Sequence, residues 1–247
     1  MAGSAGAGLT AQMTGVHPWW AAHLPHIPPH LTFDILSVVV GVGLMATRKK
    51  STPTPLPVSV MALVGAVLGA RSLGLLVDPT ETWSLRFQLG GWMQQKTVIG
   101  GILGGWIAVD LTKWRLGMDR STGDAFVVPL AVAMAVGRLG CFFSGVTDRT
   151  HGDVSTVAWA MDLGDGLPRH PLALYEIGVL AVLTALIQWA PFTAGQRWRV
   201  FVLGYMGWRF MSASIAWPEP VWAGLTTLQL AAALGIVAAA VGLLRSR

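Results

Sequence analysis

LTFDILSVVVGVGLMATRKK, residues 31–50, sets a long apolar run against an abrupt basic end. As a helix, residues 31–47 reach about 26 Å at 1.5 Å per residue, close to the roughly 30 Å of a bilayer's hydrocarbon core. Arg48, Lys49 and Lys50 follow at once. Lys and Arg collect on the cytoplasmic flank of a span. The stretch therefore reads as a membrane helix that starts outside and ends inside.

The rest of the chain repeats that pattern. The 247 residues are 53% hydrophobic and only 12% charged, with a mean hydropathy of +0.57, whereas about a quarter of a soluble domain's residues are charged. Apolar runs place helices near 31–47, 57–77, 96–114, 124–143, 171–190, 197–215 and 226–245. Every second connection is short and basic, with Arg48, Lys49 and Lys50, then Lys113, Arg115 and Arg120, then Arg197 and Arg199, then Arg245 and Arg247. The alternate connections hold Asp78, Glu81, Asp148, Asp153, Asp162, Asp165 and Glu219. The fold class expected is an all-α membrane protein of about seven transmembrane helices, N-terminus outside and C-terminus cytoplasmic. Residues 1–30, with HPWWAAHLPHIPPH, read as an irregular interfacial segment with a disordered lead-in and no signal peptide. Residues 31–247 read as one membrane domain, with no internal repeat.

Composition also excludes classes. Lys+Arg exceed Asp+Glu by 17 to 12, but the excess lies in loops rather than in one clustered patch, so no nucleic acid is expected. The single Cys141 rules out an internal disulfide framework and belongs to no CxxC or zinc spacing. A lone cysteine in a span ordinarily packs as a small hydrophobe. His17, His23, His26 and His30 are broken up by prolines and fit no defined coordination geometry. Neither a metal nor a cofactor is expected.

The chemistry lies in charges inside the spans, where each costs roughly 2.5–3.5 kcal/mol to insert and so marks a candidate functional site. Arg71 sits in GAVLGARSLGLL, Arg138 in AVGRLGCFF and Arg209 in GYMGWRFM. Measured from the outer ends of the expected helices, all three lie roughly 8–9 Å deep. Asp34, Lys96, Tyr175 and Glu176 fall in the same layer. Asp34 and Glu176 cannot neutralise Arg71, Arg138, Arg209 and Lys96, so the layer calls for an external anion. A phospholipid phosphate at headgroup depth supplies it, because guanidinium matches its oxygens in a planar, bidentate way. Gly65 and Gly69 stand at four-residue spacing, which in lipid means close helix packing. For Gly100 and Gly101, backbone approach to a ligand competes with that reading.

Four ordered segments carry a family resemblance. Gly137-Arg-Leu-Gly-Cys-Phe-Phe-Ser-Gly145 resembles the signature of the prolipoprotein diacylglyceryl transferase family. Gly69-Ala-Arg-Ser-Leu-Gly74 is similar to its second-helix arginine segment, and Tyr205-Met-Gly-Trp-Arg209 to its sixth-helix one. The most specific piece is Leu167-Pro-Arg-His-Pro-Leu-Ala-Leu-Tyr-Glu176. The resemblance implies a seven-helix inner-membrane enzyme whose site faces the extracytoplasmic side. Such an enzyme moves the diacylglyceryl group of phosphatidylglycerol to the lipobox cysteine of a prolipoprotein and releases glycerol phosphate. It implies that Arg138 and Arg209 hold the phosphate with Arg71 nearby, and it puts Arg169, Tyr175, Glu176 and Tyr205 among the substrate-binding candidates.

Two departures stand out. The family places a histidine before the Gly-Gly of its third helix, where this chain has Ile99. After the signature it shows an acidic residue, where this chain has Val146 and then Asp148. A thiol nucleophile needs a proton acceptor, and Lys96, one helical turn before Ile99, and His170, at a helix start, are the candidates. A relative that transfers a lipid moiety to another acceptor, or a non-catalytic lipid-binding protein, is the alternative.

Overall fold

The computed structural model describes residues 29–47, 54–77, 96–148, 150–216 and 223–245. The outer connection expected at 78–95, and residues 1–28 of the expected interfacial segment, lie outside them. Seven long helices occupy the described residues: α1 (Pro29–Thr47), α2 (Leu56–Val77), α3 (Val98–Arg115), α4 (Val127–Ser144), α5 (Leu172–Trp189), α6 (Gln196–Ser212) and α7 (Thr227–Leu244). The helix α1 begins at Pro29, inside the segment expected to be irregular. Proline is at home in a first turn, where its missing N–H has no partner to lose.

Five helical stretches are long and apolar enough to cross a membrane: His30–Thr47, Leu56–Val77, Gly123–Asp148, Leu172–Trp189 and Thr227–Leu244. The other two, α3 and α6, are the polar ones. Asp110, Lys113 and Arg115 fall in α3, and Arg197, Arg199 and Arg209 in α6. Their apolar faces are turned inward instead. Ile99 and Ile102 of α3 and Phe201, Val202, Tyr205 and Met206 of α6 are core residues. Conversely, Ile35, Val38, Val39 and Val42 on α1 are each more than half exposed. Apolar side chains so displayed are what a helix offers to lipid.

Two helix pairings fix the frame, α1 against α4 and α2 against α3, while α4 through α7 pack in sequence order. The α2–α3 seam is built on glycine. A Cβ added at Gly69 would lie 2.3 Å from the Gly100 carbonyl oxygen, and one at Gly104 would lie 2.3 Å from that of Gly65. Backbone meets backbone along this seam, as small residues permit in lipid. Thr97 caps α3 by accepting from the Gly100 N–H, and its own N–H donates to the Ala70 carbonyl at 3.1 Å. At the α7 start, Thr226 and Gln229 form a capping box, and Gln229 Nε2 also donates to the Phe210 carbonyl.

The connection from α4 to α5 folds over the end where α1 begins. A 3₁₀ turn, Gly145–Asp148, leads to a short hairpin of β1 (Met161–Asp162) and β2 (Pro168–Arg169). Gly145, at φ 62, turns the chain out of α4 in the left-handed region that a side chain would resist. Asp162 Oδ1 accepts the backbone N–H groups of Gly164, Asp165 and Gly166. Gly152 bridges to Ala216, tying the connection to the end of α6.

Candidate functional site

Glu176 sits in the first turns of α5, almost wholly buried, with its carboxylate at the meeting point of three helices. Arg138 of α4 places Nε 2.9 Å from Oε1, and Arg209 of α6 places Nη1 2.7 Å from Oε2. Tyr205, one turn before Arg209, donates its hydroxyl to Oε1 at 2.7 Å. One carboxylate thus holds two guanidiniums. The cluster retains a positive charge in a setting where effective dielectric is low. Arg209 Nε and the indole Nε1 of neighbouring Trp208 are buried and, among the described residues, have no hydrogen-bond partner.

A second polar chain runs beside the first. Lys96, just before α3, pairs with Asp34 of α1. Asp34 also accepts from His30 Nδ1 at 3.3 Å, and the other ring nitrogen, Nε2, meets Asp148. Thr150 donates to the second oxygen of Asp148. Cys141 links the two chains, with Sγ 3.6 Å from Arg138 Nη1 and grouped with His30 and Asp148.

Both chains line one cavity of about 2030 Å³ between the α1–α4 and α2–α3 pairs. Its middle walls are apolar, with Val38, Val42, Leu63 and Val67 among them, and its far end carries Asp110, Lys113, Asp119, Arg120, Arg199 and Arg245. Arg71, Lys96, Arg138, Glu176, Arg209 and Asp148 all line it. The charged layer expected from the sequence therefore shares one space. Arg209 lies three residues from the end of α6 rather than six, because the helix tightens into the 3₁₀ turn Ala213–Ile215.

Other expected site residues stand elsewhere. Gly101 lines the cavity, whereas Gly100 is consumed by the α2–α3 seam. Tyr205 is fully buried behind Glu176, stacked on Phe201. Arg169 is held in the hairpin connection, with Nη2 2.6 Å from Asp165 and Nη1 donating to the Gly152 carbonyl. His170 contacts the Tyr175 hydroxyl at 3.1 Å, and that hydroxyl also accepts from Trp159. These three organise the connection and do not line the cavity. In the same connection partial burial works to raise the Asp165 carboxyl, yet the hydrogen bonds from Arg169 and the Leu167 N–H hold it below the usual carboxylate range.

Three residues escaped the sequence reading. His30 stands among proline-broken histidines, Cys141 has the pattern of a packing residue and Trp208 that of an ordinary aromatic in a span. Only Trp208 carried a usable signal, as an aromatic with a polar atom directly before an intramembrane arginine. His30 and Cys141 gain their meaning from tertiary contact.

Comparison with known proteins points to one family. The prolipoprotein diacylglyceryl transferase family matches residues 32–245. A phosphatidylglycerol–prolipoprotein diacylglyceryl transferase of Bordetella parapertussis is 35% identical over 167 residues, covering 61% of this chain and 60% of that protein. Proteins of the same name from Dechloromonas aromatica and Aromatoleum aromaticum are 30% identical over 175 residues and 33% identical over 200. The former alignment covers 64% of this chain and 63% of the relative, the latter 74% of each. The chain thus aligns with about 60% of the length of the Bordetella protein. With a family match that spans most of its length, this chain belongs to the prolipoprotein diacylglyceryl transferase family.

Proposed function

We propose that this protein transfers the diacylglyceryl group of phosphatidylglycerol to the lipobox cysteine thiol of a prolipoprotein, releasing glycerol phosphate. The observation that carries this reading is Glu176 shared between Arg138 and Arg209, which leaves one uncompensated guanidinium charge facing the cavity. A lipid phosphodiester answers that charge. Its oxygens accept from the guanidinium groups of Arg138 and Arg209, which line the cavity. Acyl chains lie along the apolar walls between α1 and α2. The thiol sulfur attacks the terminal glyceryl carbon, the carbon–oxygen bond to phosphate breaks, and Arg138 and Arg209 stabilise the charge growing on the leaving group. Arg71 and Lys96 line the approach, and Gly101 leaves room beside them.

In this reading residues 31–247 cross the bacterial inner membrane seven times. The basic connections face the cytoplasm and the site faces the extracytoplasmic side. No nucleic acid takes part.

Purified protein in nanodiscs, given phosphatidylglycerol labelled in its acyl chains and a lipobox peptide, tests the proposal. The expected result is label on the cysteine peptide and none on its serine counterpart. Lipid that binds without labelling the peptide overturns it. A second reading, transfer to a different acceptor, is favoured by Ile99, which seals the position where family resemblance puts a proton acceptor and is 0% exposed. Glycerol phosphate released without any thiol acceptor selects that reading.

A further inference from the structure

We propose that His30, Cys141 and Asp148 form a zinc site whose open fourth position takes the acceptor thiol. The three donor atoms come from the first turn of α1, the last turn of α4 and the 3₁₀ turn after it, and they lie within 4.8 Å of one another. One sulfur, one imidazole nitrogen and one carboxylate oxygen are the donors zinc prefers. Three protein ligands with an exchangeable fourth position characterise its catalytic sites. A tetrahedral zinc holds its donors roughly 3.3–3.7 Å apart, so the side chains need move by an ångström or so at most.

The surroundings point to a ligand set rather than a bare ion pair. His30 uses Nδ1 on Asp34 at 3.3 Å and turns Nε2 toward Asp148. A carboxylate on the far ring nitrogen is the usual outer support of a metal-bound histidine. Thr150 holds the Oδ2 of Asp148, which leaves Oδ1 facing His30 Nε2. Cys141 Sγ accepts from Arg138 Nη1 at 3.6 Å, which orients the sulfur. Each of the three ligands thus has its own outer partner.

The site also supplies a route to the thiolate beside Lys96, which lines the same cavity. Alkylating a thiol requires the thiolate, and the family's expected acceptor position is the sealed Ile99. Zinc deprotonates a coordinated thiol outright. This step rests on the transferase reading above. The thiol proton leaves to water past the half-open Lys96–Asp34 pair, where side-chain exposure is 45% and 40%. The sulfur lone pair forms the carbon–sulfur bond, and the electron pair of the broken carbon–oxygen bond departs on the phosphate of glycerol phosphate. Zinc remains Zn(II) throughout. Arg138 touches both Cys141 and Glu176, so the proposed ligand set and the arginine cluster meet across a single side chain.

The test uses the full-length protein in nanodiscs, stripped with chelator and titrated with Zn(II) or Co(II). Wild type should bind one equivalent, and Co(II) should give a sulfur-to-metal charge-transfer band in the near ultraviolet. Cys141→Ser should lose the band while retaining phosphatidylglycerol binding by native mass spectrometry, which shows that the variant is folded. Asp34→Asn should weaken metal affinity by about 10–100-fold. The cysteine lipobox peptide should shift the band and the serine peptide should not. Absence of stoichiometric metal in wild type, or an unchanged band in Cys141→Ser, overturns the site. Full transferase activity at zero metal content also overturns it while leaving the transferase reading intact. A thiol-dependent shift without diacylglyceryl transfer upholds the metal site and removes the transferase reading instead.

Discussion

Glu176 and Asp34 stand at the same end of the bundle and each holds two basic groups, yet one carboxylate is 3% exposed and the other 40%. Glu176 takes Arg138, Arg209 and the Tyr205 hydroxyl, so nearly every lone pair is directed by packed helices. Asp34 takes Lys96 and His30 at the mouth of the cavity, where water competes for every contact. The same charge pattern therefore does two jobs. The buried cluster has a fixed geometry, suited to receiving a phosphate, because rearranging it would strand a charge in low dielectric. The exposed chain re-pairs at little cost, suited to a boundary that a substrate must cross.

The sharpest way to break this contrast is Glu176→Gln. It leaves Arg138 and Arg209 without a counter-charge, and the expected loss is about 3–5 kcal/mol of stability, read by denaturant unfolding in detergent. A loss as small as that of an exposed pair would show that the buried cluster is not an anchor. Next, Arg138→Ala should lower diacylglyceryl transfer by about 10²–10³-fold in the labelled-lipid assay. Arg209 stays paired with Glu176 in that variant, so unfolding should change far less than in Glu176→Gln.

Asp34→Asn should cost less than about 1 kcal/mol of stability, the ordinary worth of an exposed pair. A cost matching that of Glu176→Gln would erase the distinction. The smallest effect belongs to Asp165. Its folded-state value is depressed, so the stability it adds is present above the unfolded carboxylate value of roughly 3.9 and is lost as pH falls through the lower folded one. Asp165→Asn should flatten the acid limb of the unfolding curve in that window alone.

The contrast also explains what the sequence could disclose. Helix positions were legible because each apolar run is long, and even α3 and α6, with their interior charges, fell within a few residues of expectation. That Arg71, Arg138, Arg209 and Lys96 share one cavity was legible from charges set inside apolar runs, although the count to the helix end for Arg209 is three residues and not six. Pairing was not, since it depends on which faces meet. Glu176 looked like one acid among too few, whereas Asp148, carried inward by a 3₁₀ turn, joins the layer as a third. The Arg169, His170 and Tyr175 block reads like a site in one dimension, but the hairpin turns those side chains upon one another. No spacing rule joins His30 to Cys141, because α1 and α4 meet only in three dimensions.

The glycine seam between α2 and α3 has a mechanical consequence. With carbonyls of one helix pressed on the α-carbons of the other, the side chains that reach the seam are mostly alanines, Ala66, Ala70 and Ala108, which have no rotamers to change. The pair behaves as a stiff plank beside a cavity of about 2030 Å³. Surrounding lipid pushes inward on any hollow membrane protein, and a plank of this kind resists collapse without filling the interior with atoms. Any breathing of the walls must then come from the opposite side, where α1 leans on α4 alone among its major contacts.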